Sequence, residues 1–355
     1  MVSFAAPDIS IRLLTGAALT DRLAALSEYA LRDRLAAPSS DPGWLSILKE
    51  GLGHVPFALE ARRTGQICGW LPLAYMRSTL FGRYLVSLPY LNTGGVMADD
   101  QRVALRLIDH AVLLAEELRV KHLELRHEEP IEHPNLNGTL SSKVHMRLAL
   151  PSFPGPLWEE LPAKVRNQVR KGEKNKLQIA WGGSERLDEF YDVFSHNMRD
   201  LGTPVYGRAL FAAVLRYFGE SAEICIVRNE EKPIAAALLV HGKGVSEVPS
   251  ASSLREYNST CANMLMYWNL LDRAIQREQS VFDFGRSTVD GPTYRFKKQW
   301  GALPEPAAWQ YHLRDGETPD LRPDNPRYQR LIKIWQRLPV RVTRWIGPRI
   351  VRGIP

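Results

Sequence analysis

AEICIVRNEEKPIAAALLVHGKGVSEVPSASSLREYNSTCANMLMYW, Ala222 to Trp268, holds the pattern on which the fold turns. Ala222–Asn229 and Lys232–Gly242 are two apolar, β-branched-rich runs separated by Glu230-Glu231, which predicts a hairpin. GVSEVPSASSL follows as a third strand. Pro249 within it cannot donate to a ladder, so this strand must lie at an edge, bulge or splay at that point. The chain then turns through Arg255-Glu256-Tyr257-Asn258 and enters a helix near Ser259 or Thr260. Met264, Leu265, Trp268, Leu271 and Ile275 give Asn263–Arg277 an apolar helical face. VFDFGRS (Val281–Ser287) is a fourth strand and AAWQYHL (Ala307–Leu313) a late one. Upstream, Glu185–Leu201 and Ala209–Phe218 have helical spacing.

The first half repeats this order. Ala18–Ala37 is helical by spacing, with Thr20 and Asp21 near its start. His54–Met76 is two strands turning at Arg63-Thr64-Gly65, and Arg83–Gly95 is a third extended stretch. Asp99–Arg119 is an amphipathic helix through Val103, Leu107, Ile108, Ala111 and Leu114. His122–Arg126 and Val144–Leu150 alternate as strands. PSFPGP (Pro151–Pro156) reads as a boundary without regular structure. Beyond it, Lys164–Lys176 is helical, with six basic residues and one acidic residue. Each half thus runs helix, hairpin, strand, helix, strand. That order resembles the Gcn5-related N-acyltransferase (GNAT) fold used twice. The expected class is α/β with mixed sheets: an N-terminal domain over 1–150, a C-terminal domain over 157–322 and a basic helical tail over 323–355.

Composition fits this scheme. The 355 residues suffice for about two domains, and 45% hydrophobic with 24% charged excludes wholesale disorder. Cys68, Cys225 and Cys261 are isolated, which argues against a disulfide framework or a zinc ribbon and for a reducing, cytoplasmic setting. The N-terminus has no signal-peptide pattern. The longest purely apolar run, Ile234–Val240, is far short of the roughly 20 residues of a spanning helix. The net charge is +7, yet Arg327 to Pro355 alone holds eight basic and no acidic residues. Subtracting them leaves −1 for the preceding chain. A protein-wide field for duplex DNA is therefore not indicated; a local anionic partner is.

Three stretches concentrate chemistry. In Ser246–Trp268 a splayed strand frees backbone N–H groups for an acyl oxyanion, with Glu247 beside it as the candidate general base, directly or through water. The helix start that follows suits a donor phosphate, held by Ser252, Arg255, Asn258, Ser259, Thr260 and Asn263. In Phe282–Ala302, Asp283 alternates with two phenylalanines and is the second-choice base. Arg286, Ser287, Lys297 and Lys298, interleaved with aromatics, suit a phosphate or sugar-phosphate acceptor. Arg199, Asp200, Thr203 and Tyr206, at a helix end and the turn after it, complete the acceptor set. Nucleotide-fold, Walker, nucleophile-elbow and zincin signatures are absent. His122, His127 and His133 lack a ligand partner, so no metal is expected. The glycine-rich pyrophosphate loop of ordinary acetyl-CoA enzymes is replaced by Arg255–Thr260.

KVRNQVRKGEK, NMRDLGTPVY, EVPSASSLREYN, NMLMYW, FDFGRS and RFKKQWGA, in this order, resemble FemAB-like proteins associated with the PEP-CTERM/exosortase system. LPLAYMRSTLFGRYLVSLPYLNTGG and the C-terminal WQRLP…GPRIVRGIP extend the likeness across nearly the whole chain. That family is similar to the Fem peptidyltransferases and to BioF2-like acetyltransferase domains. The resemblance implies tandem GNAT-like domains and acyl or aminoacyl transfer to an amino group of a sugar or peptide precursor, in exopolysaccharide or cell-envelope assembly. The donor would be acyl-CoA or aminoacyl-tRNA, used as substrate and not held as a tight cofactor. The acceptor could be lipid-linked, with the basic tail on an anionic membrane surface. Two rivals stand beside this reading: an inactive GNAT-like scaffold that binds a polysaccharide precursor or a synthase, and a tRNA-dependent Fem-type transferase. No heptad arm of the kind Fem proteins use to grip tRNA is present.

Overall fold

The computed structural model describes residues 8–79, 81–314 and 326–354. The first half contains β1 (Ile9–Leu14), α1 (Gly16–Ala30), α2 (Trp44–Leu52), β2 (Val55–Arg63), β3 (Gln66–Ser78), β4 (Gly82–Val86), β5 (Met97–Ala98), α3 (Gln101–Glu117), β6 (His122–His127), β7 (Gly138–Leu140) and β8 (Lys143–Ala149). After α4 (Pro154–Glu160) and α5 (Ala163–Lys174) come β9 (Gln178–Gly182), α6 (Leu187–Leu201), α7 (Arg208–Phe218), β10 (Ala222–Asn229), β11 (Lys232–His241) and β12 (Val245–Ser253). The chain continues through α8 (Ala262–Gln276), β13 (Val281–Thr288), α9 (Pro292–Lys298), β14 (Leu303–Pro306) and β15 (Ala308–Leu313), then α10 (Pro326–Arg337) and α11 (Val340–Val351).

Two mixed sheets result. One runs β1-β2-β3-β4-β6-β15-β7, with β5 on β3; the other runs β14-β8-β13-β12-β11-β10-β9. In each, the strand after the hairpin pairs in parallel with the strand after the helix: β4 with β6, and β12 with β13. This is the repeated order expected from the sequence. The sheets also exchange strands. β8 pairs with β13 and β14, although it precedes residue 150, and β15 pairs with β6 and β7, although it follows the whole second unit. Neither sheet is therefore confined to 1–150 or to 157–322. The proposed 322/323 boundary lies outside the described residues.

Apolar patterning explains the layers. α3 buries Val103, Leu107, Ile108 and Ala111 on one face of the first sheet, and its start is capped by Asp100, which accepts from the Val103 N–H at 2.9 Å. α5 and α8 cover one face of the second sheet, where Gly172 lets α5 approach Leu265 closely. The other faces meet in a single cluster that joins Leu26, Trp44 and Trp70 to Phe190, Phe211 and Val240. The halves thus share a core.

Local details differ from the sequence expectation. α1 stops at Ala30 because the chain leaves the helix to pair Ala36 with Lys243 and Gly244 of the second half. Pro38 then opens a short 3₁₀ turn. PSFPGP is not irregular throughout: Pro154 and Pro156 sit in the first turn of α4, where a missing N–H costs nothing. Pro162 separates α4 from α5. In the tail, Pro339 parts two helices, and the second runs on to Val351 through Pro348.

Candidate active site

The parallel ladder between β12 and β13 is three residue pairs long and ends at Glu247 opposite Asp283. Beyond it the strands part. Pro249 falls in the irregularity where β12 slips against β11, between Leu238 and Val240. A residue without a donor is tolerated there, and the β12 edge that faces β13 has no ladder partner past Glu247. On the other side of β13, register slips against β8 between Asp283 and Arg286. Gly285 takes φ +77° at this irregularity; a side chain there would lie 2.9 Å from Asn92 Nδ2.

The two carboxylates have different surroundings. Glu247, partly buried, accepts from Ser39 Oγ at 2.6 Å and from the Ser39 N–H at 3.1 Å. Ser39 Oγ also lies 2.8 Å from Thr93 Oγ1. Burial and the neighbouring Asp283 push the Glu247 carboxyl up to about 8, against the Ser39 hydrogen bonds. Asp283, deeply buried, accepts from the Gly285 N–H at 2.6 Å and from Arg147 Nε at 3.0 Å. Arg147 also reaches Glu305 at 2.7 Å and Glu128. His145 on β8 is fully buried in this charged cluster, and neither ring nitrogen has a hydrogen-bond partner. Burial lowers its pKa.

A cavity of about 420 Å³ lies one residue removed from the pair, which does not itself line it. Ser39 lines it and holds Glu247; Glu128 lines it and holds Arg147. Its walls are apolar at Trp70, Leu88, Val96 and Met97, with Thr93, Arg126, His127 and Glu129 supplying polarity. His127 Nε2 is buried without a partner, while its Nδ1 bonds Gln310 at 2.9 Å. Gly95 permits this approach, since a Cβ there would sit 2.2 Å from the His127 ring.

The sequence-selected residues fall into separate groups. Glu247 and Asp283 are brought side by side. Lys297 is buried at the end of β13, donating to the Gly285 and Arg286 carbonyls at 2.9 and 3.1 Å; burial lowers its pKa to about 8, opposed by Asp283. Arg286 lies 3.1 Å from the Trp309 ring centre, and Arg126 lies 3.9 Å from it. Ser287 is buried with its hydroxyl unpartnered. Lys298 is exposed near Tyr294. Ser252 is buried and accepts from Asn197.

Arg255, Asn258, Ser259 and Thr260 form a 3₁₀ turn that leads through a left-handed Cys261 into α8, with Asn263 in the first turn of that helix. This turn follows the parted strand directly. The basic residues of α5 lie alongside, and Asn175 donates to the Thr260 carbonyl at 3.1 Å. Arg199 and Asp200 are instead paired with each other at 2.6 Å and bonded to the tail through the Leu338 carbonyl and Gln336. Thr203 caps the same helix end through its N–H, and Tyr206 stacks on Phe194 and meets Tyr90 edge-on. Arg199 and Asp200 are thus taken up by each other and by the tail, while Tyr206 lies near Arg126 of the cavity wall. Ser39, Thr93, Glu128, His145 and Arg147 were missed by sequence reasoning. Only Arg147, a charge inside the alternating strand MRLAL, carried a local signal. The others sit at the site because remote segments meet there.

Residues 162–298 match the family model described as an acetyltransferase (GNAT) domain. No curated protein matches the chain significantly. Among solved structures, it is similar to FemX (TM-score 0.60, 14% identity, covering 82% of this chain and 93% of that one). It is also similar to a tandem GNAT protein from the clavulanic acid biosynthesis pathway (0.56, 14%, 88% and 100%) and to L-PGS from Bacillus licheniformis (0.52, 12%, 92% and 96%). The fold and the domain match define the class: a tandem GNAT-fold protein, an enzyme of the acyltransferase type. Among the described residues there is no cluster of potential metal ligands, and no helix is long and apolar enough to cross a membrane.

Proposed function

We propose that this protein transfers an acyl or aminoacyl group to a primary amine of a sugar or peptide precursor. The observation that carries this reading is the Glu247–Asp283 pair at the point where β12 and β13 part, held from the first half by Ser39. The amine enters from the cavity lined by Ser39, Thr93 and Glu128, where carboxylates favour an ammonium-bearing ligand. Glu247 takes the amine proton as nitrogen attacks the donor carbonyl. Free N–H groups on the β12 edge hold the oxyanion. Collapse of the tetrahedral intermediate forms the amide and expels the donor's thiolate or alkoxide, which is then protonated.

The donor lies along the parted strand, with its phosphate at the Arg255–Thr260 turn and the start of α8. An acyl-CoA would present a thioester, and an aminoacyl-tRNA an ester, together with a phosphate. The exposed basic residues of α5 beside that turn favour a polyanionic donor and support the tRNA-dependent alternative. The likeness to FemAB-like proteins of the PEP-CTERM/exosortase system supports a role in exopolysaccharide or envelope assembly. The test is to incubate the protein with acyl-CoA or charged tRNA and amine-bearing precursors, and to follow amide formation by mass spectrometry. Amide product with wild type, lost in Glu247→Gln, is expected. Ligand binding with no product from either donor would leave a scaffold role and overturn the enzyme assignment of these residues.

A further inference from the structure

The tail carries a surface that the transfer site does not use. α10 and α11 both pack one side on α6: a Cβ at Gly202 would meet Ile332 at 2.4 Å, Gln336 donates to the Asp200 carbonyl, and Arg344 bonds Ser195 and Asp192. Their other side faces solvent with Leu331, Ile334 and Trp345 at 61, 59 and 68% exposure. Exposed apolar side chains grouped together and rimmed by charge are the kind of patch that marks an interaction surface. Arg330, Lys333, Arg337, Arg341, Arg349 and Arg352 are exposed on the same two helices and their end. None of the six forms an ion pair with a carboxylate among the described residues.

The face continues into a pocket. Arg349 lies 4.9 Å from the Trp345 ring centre, and with Arg352 it lines a cavity of about 440 Å³ completed by Arg77, Ser78, Thr79 and Arg83. Gly353 seats the chain end there, against Ser78. Four guanidinium groups and no carboxylate line that cavity, a composition that suits a phosphate monoester or diester. A phosphate alone would leave the exposed tryptophan, leucine and isoleucine unexplained. An anionic bilayer accounts for both, with phosphate at the arginines and the interfacial region around the apolar side chains.

We propose that the outer face of α10 and α11, continuous through Arg349 with the four-arginine pocket, docks this protein on a membrane surface of anionic phospholipid, the pocket taking a headgroup phosphate. The bilayer is reached without any spanning helix among the described residues, and docking is independent of which donor the transfer site uses.

The test is co-sedimentation of the full chain with phosphatidylcholine vesicles, with and without phosphatidylglycerol, at low and high salt. Binding should require phosphatidylglycerol and weaken with salt. Arg349→Gln with Arg352→Gln should reduce it at least about tenfold, since juxtamembrane basic residues contribute separately. Leu331→Ser, Ile334→Ser and Trp345→Ser together should reduce it comparably, with an unchanged melting temperature because these side chains are exposed. Failure of the full chain to bind phosphatidylglycerol vesicles would overturn the proposal. So would binding that survives the apolar triple variant, or single-stranded RNA bound more tightly than vesicles and insensitive to that triple, which would mark a polyanion site. If the arginine variant unfolds, the triple variant decides.

Discussion

Glu247 shows how a side chain's environment sets its chemistry. A carboxyl with a pKa of about 8 is mostly protonated at neutral pH, so a reaction that uses it as base must speed up as pH rises. The rate should rise about tenfold per pH unit below 8 and level above it. Glu247→Gln should abolish this limb and lower kcat/KM by on the order of 10²-fold or more. The neighbours should move the limb in opposite directions. Ser39→Ala removes a hydrogen bond to the charged form, so the limb shifts to higher pH. Asp283→Asn removes the adjacent carboxylate, so it shifts lower. A pH–rate profile of the three variants measures all of this, and a limb unmoved by either neighbour would assign it to another group.

At the level of the element, the turn from β13 into α9 explains why two adjacent lysines differ. α9 turns Lys297 inward to the Gly285 and Arg286 carbonyls and Lys298 outward. Lys297→Ala should cost about 1–3 kcal/mol in urea unfolding, because two carbonyls at the β13 irregularity lose their donor. Lys298→Ala should stay within about 0.5 kcal/mol. Equal effects would mean that the inward ammonium does not hold the turn. The sequence showed a basic run interleaved with aromatics but not this division. Seven helical residues between Pro292 and Lys298 set which lysine points in, and a contact between β13 and α9 decides which direction is in.

The whole molecule is joined by its exchanged strands. Trp309 on β15 is stacked between Arg126 of the first half and Arg286 of the second, and its Nε1 donates to the Asn92 carbonyl at 3.1 Å. Trp309→Ala should destabilise the protein by about 3–5 kcal/mol, read by circular dichroism in urea. A loss under about 1 kcal/mol would show β15 to be held without the ring. Acid should loosen the molecule as well. Burial lowers His54, His122 and His127 to about 4, so the unfolded chain binds protons first. Their contribution is full above about 6.5 and is lost as pH falls through the folded value near 4, by about 1–3 kcal/mol each. Urea midpoints at pH 7, 5.5 and 4.5 should therefore fall in that order, and flat midpoints would contradict neutral burial.

Residue patterning alone did not reveal β1, α2, β7 or β9, but it determined the repeated helix–hairpin–strand–helix–strand order, both hairpins, the amphipathic α3, α6 and α8, and the break in pairing at Pro249. These depend on periodicity and on one missing N–H, which act within a few residues. It also singled out Glu247 and Asp283, because a carboxylate inside an apolar strand stands out locally. It did not show that Ala36 pairs with Lys243 and thereby carries Ser39 to Glu247, or that Arg147 on β8 crosses to Asp283. Nor did it show that Arg199 and Asp200 are taken up by the tail. Those contacts join segments dozens to hundreds of residues apart. Only tertiary structure decided them, since strand exchange and a shared core are settled by which apolar faces remain to be covered once each half has formed, and no local pattern encodes that.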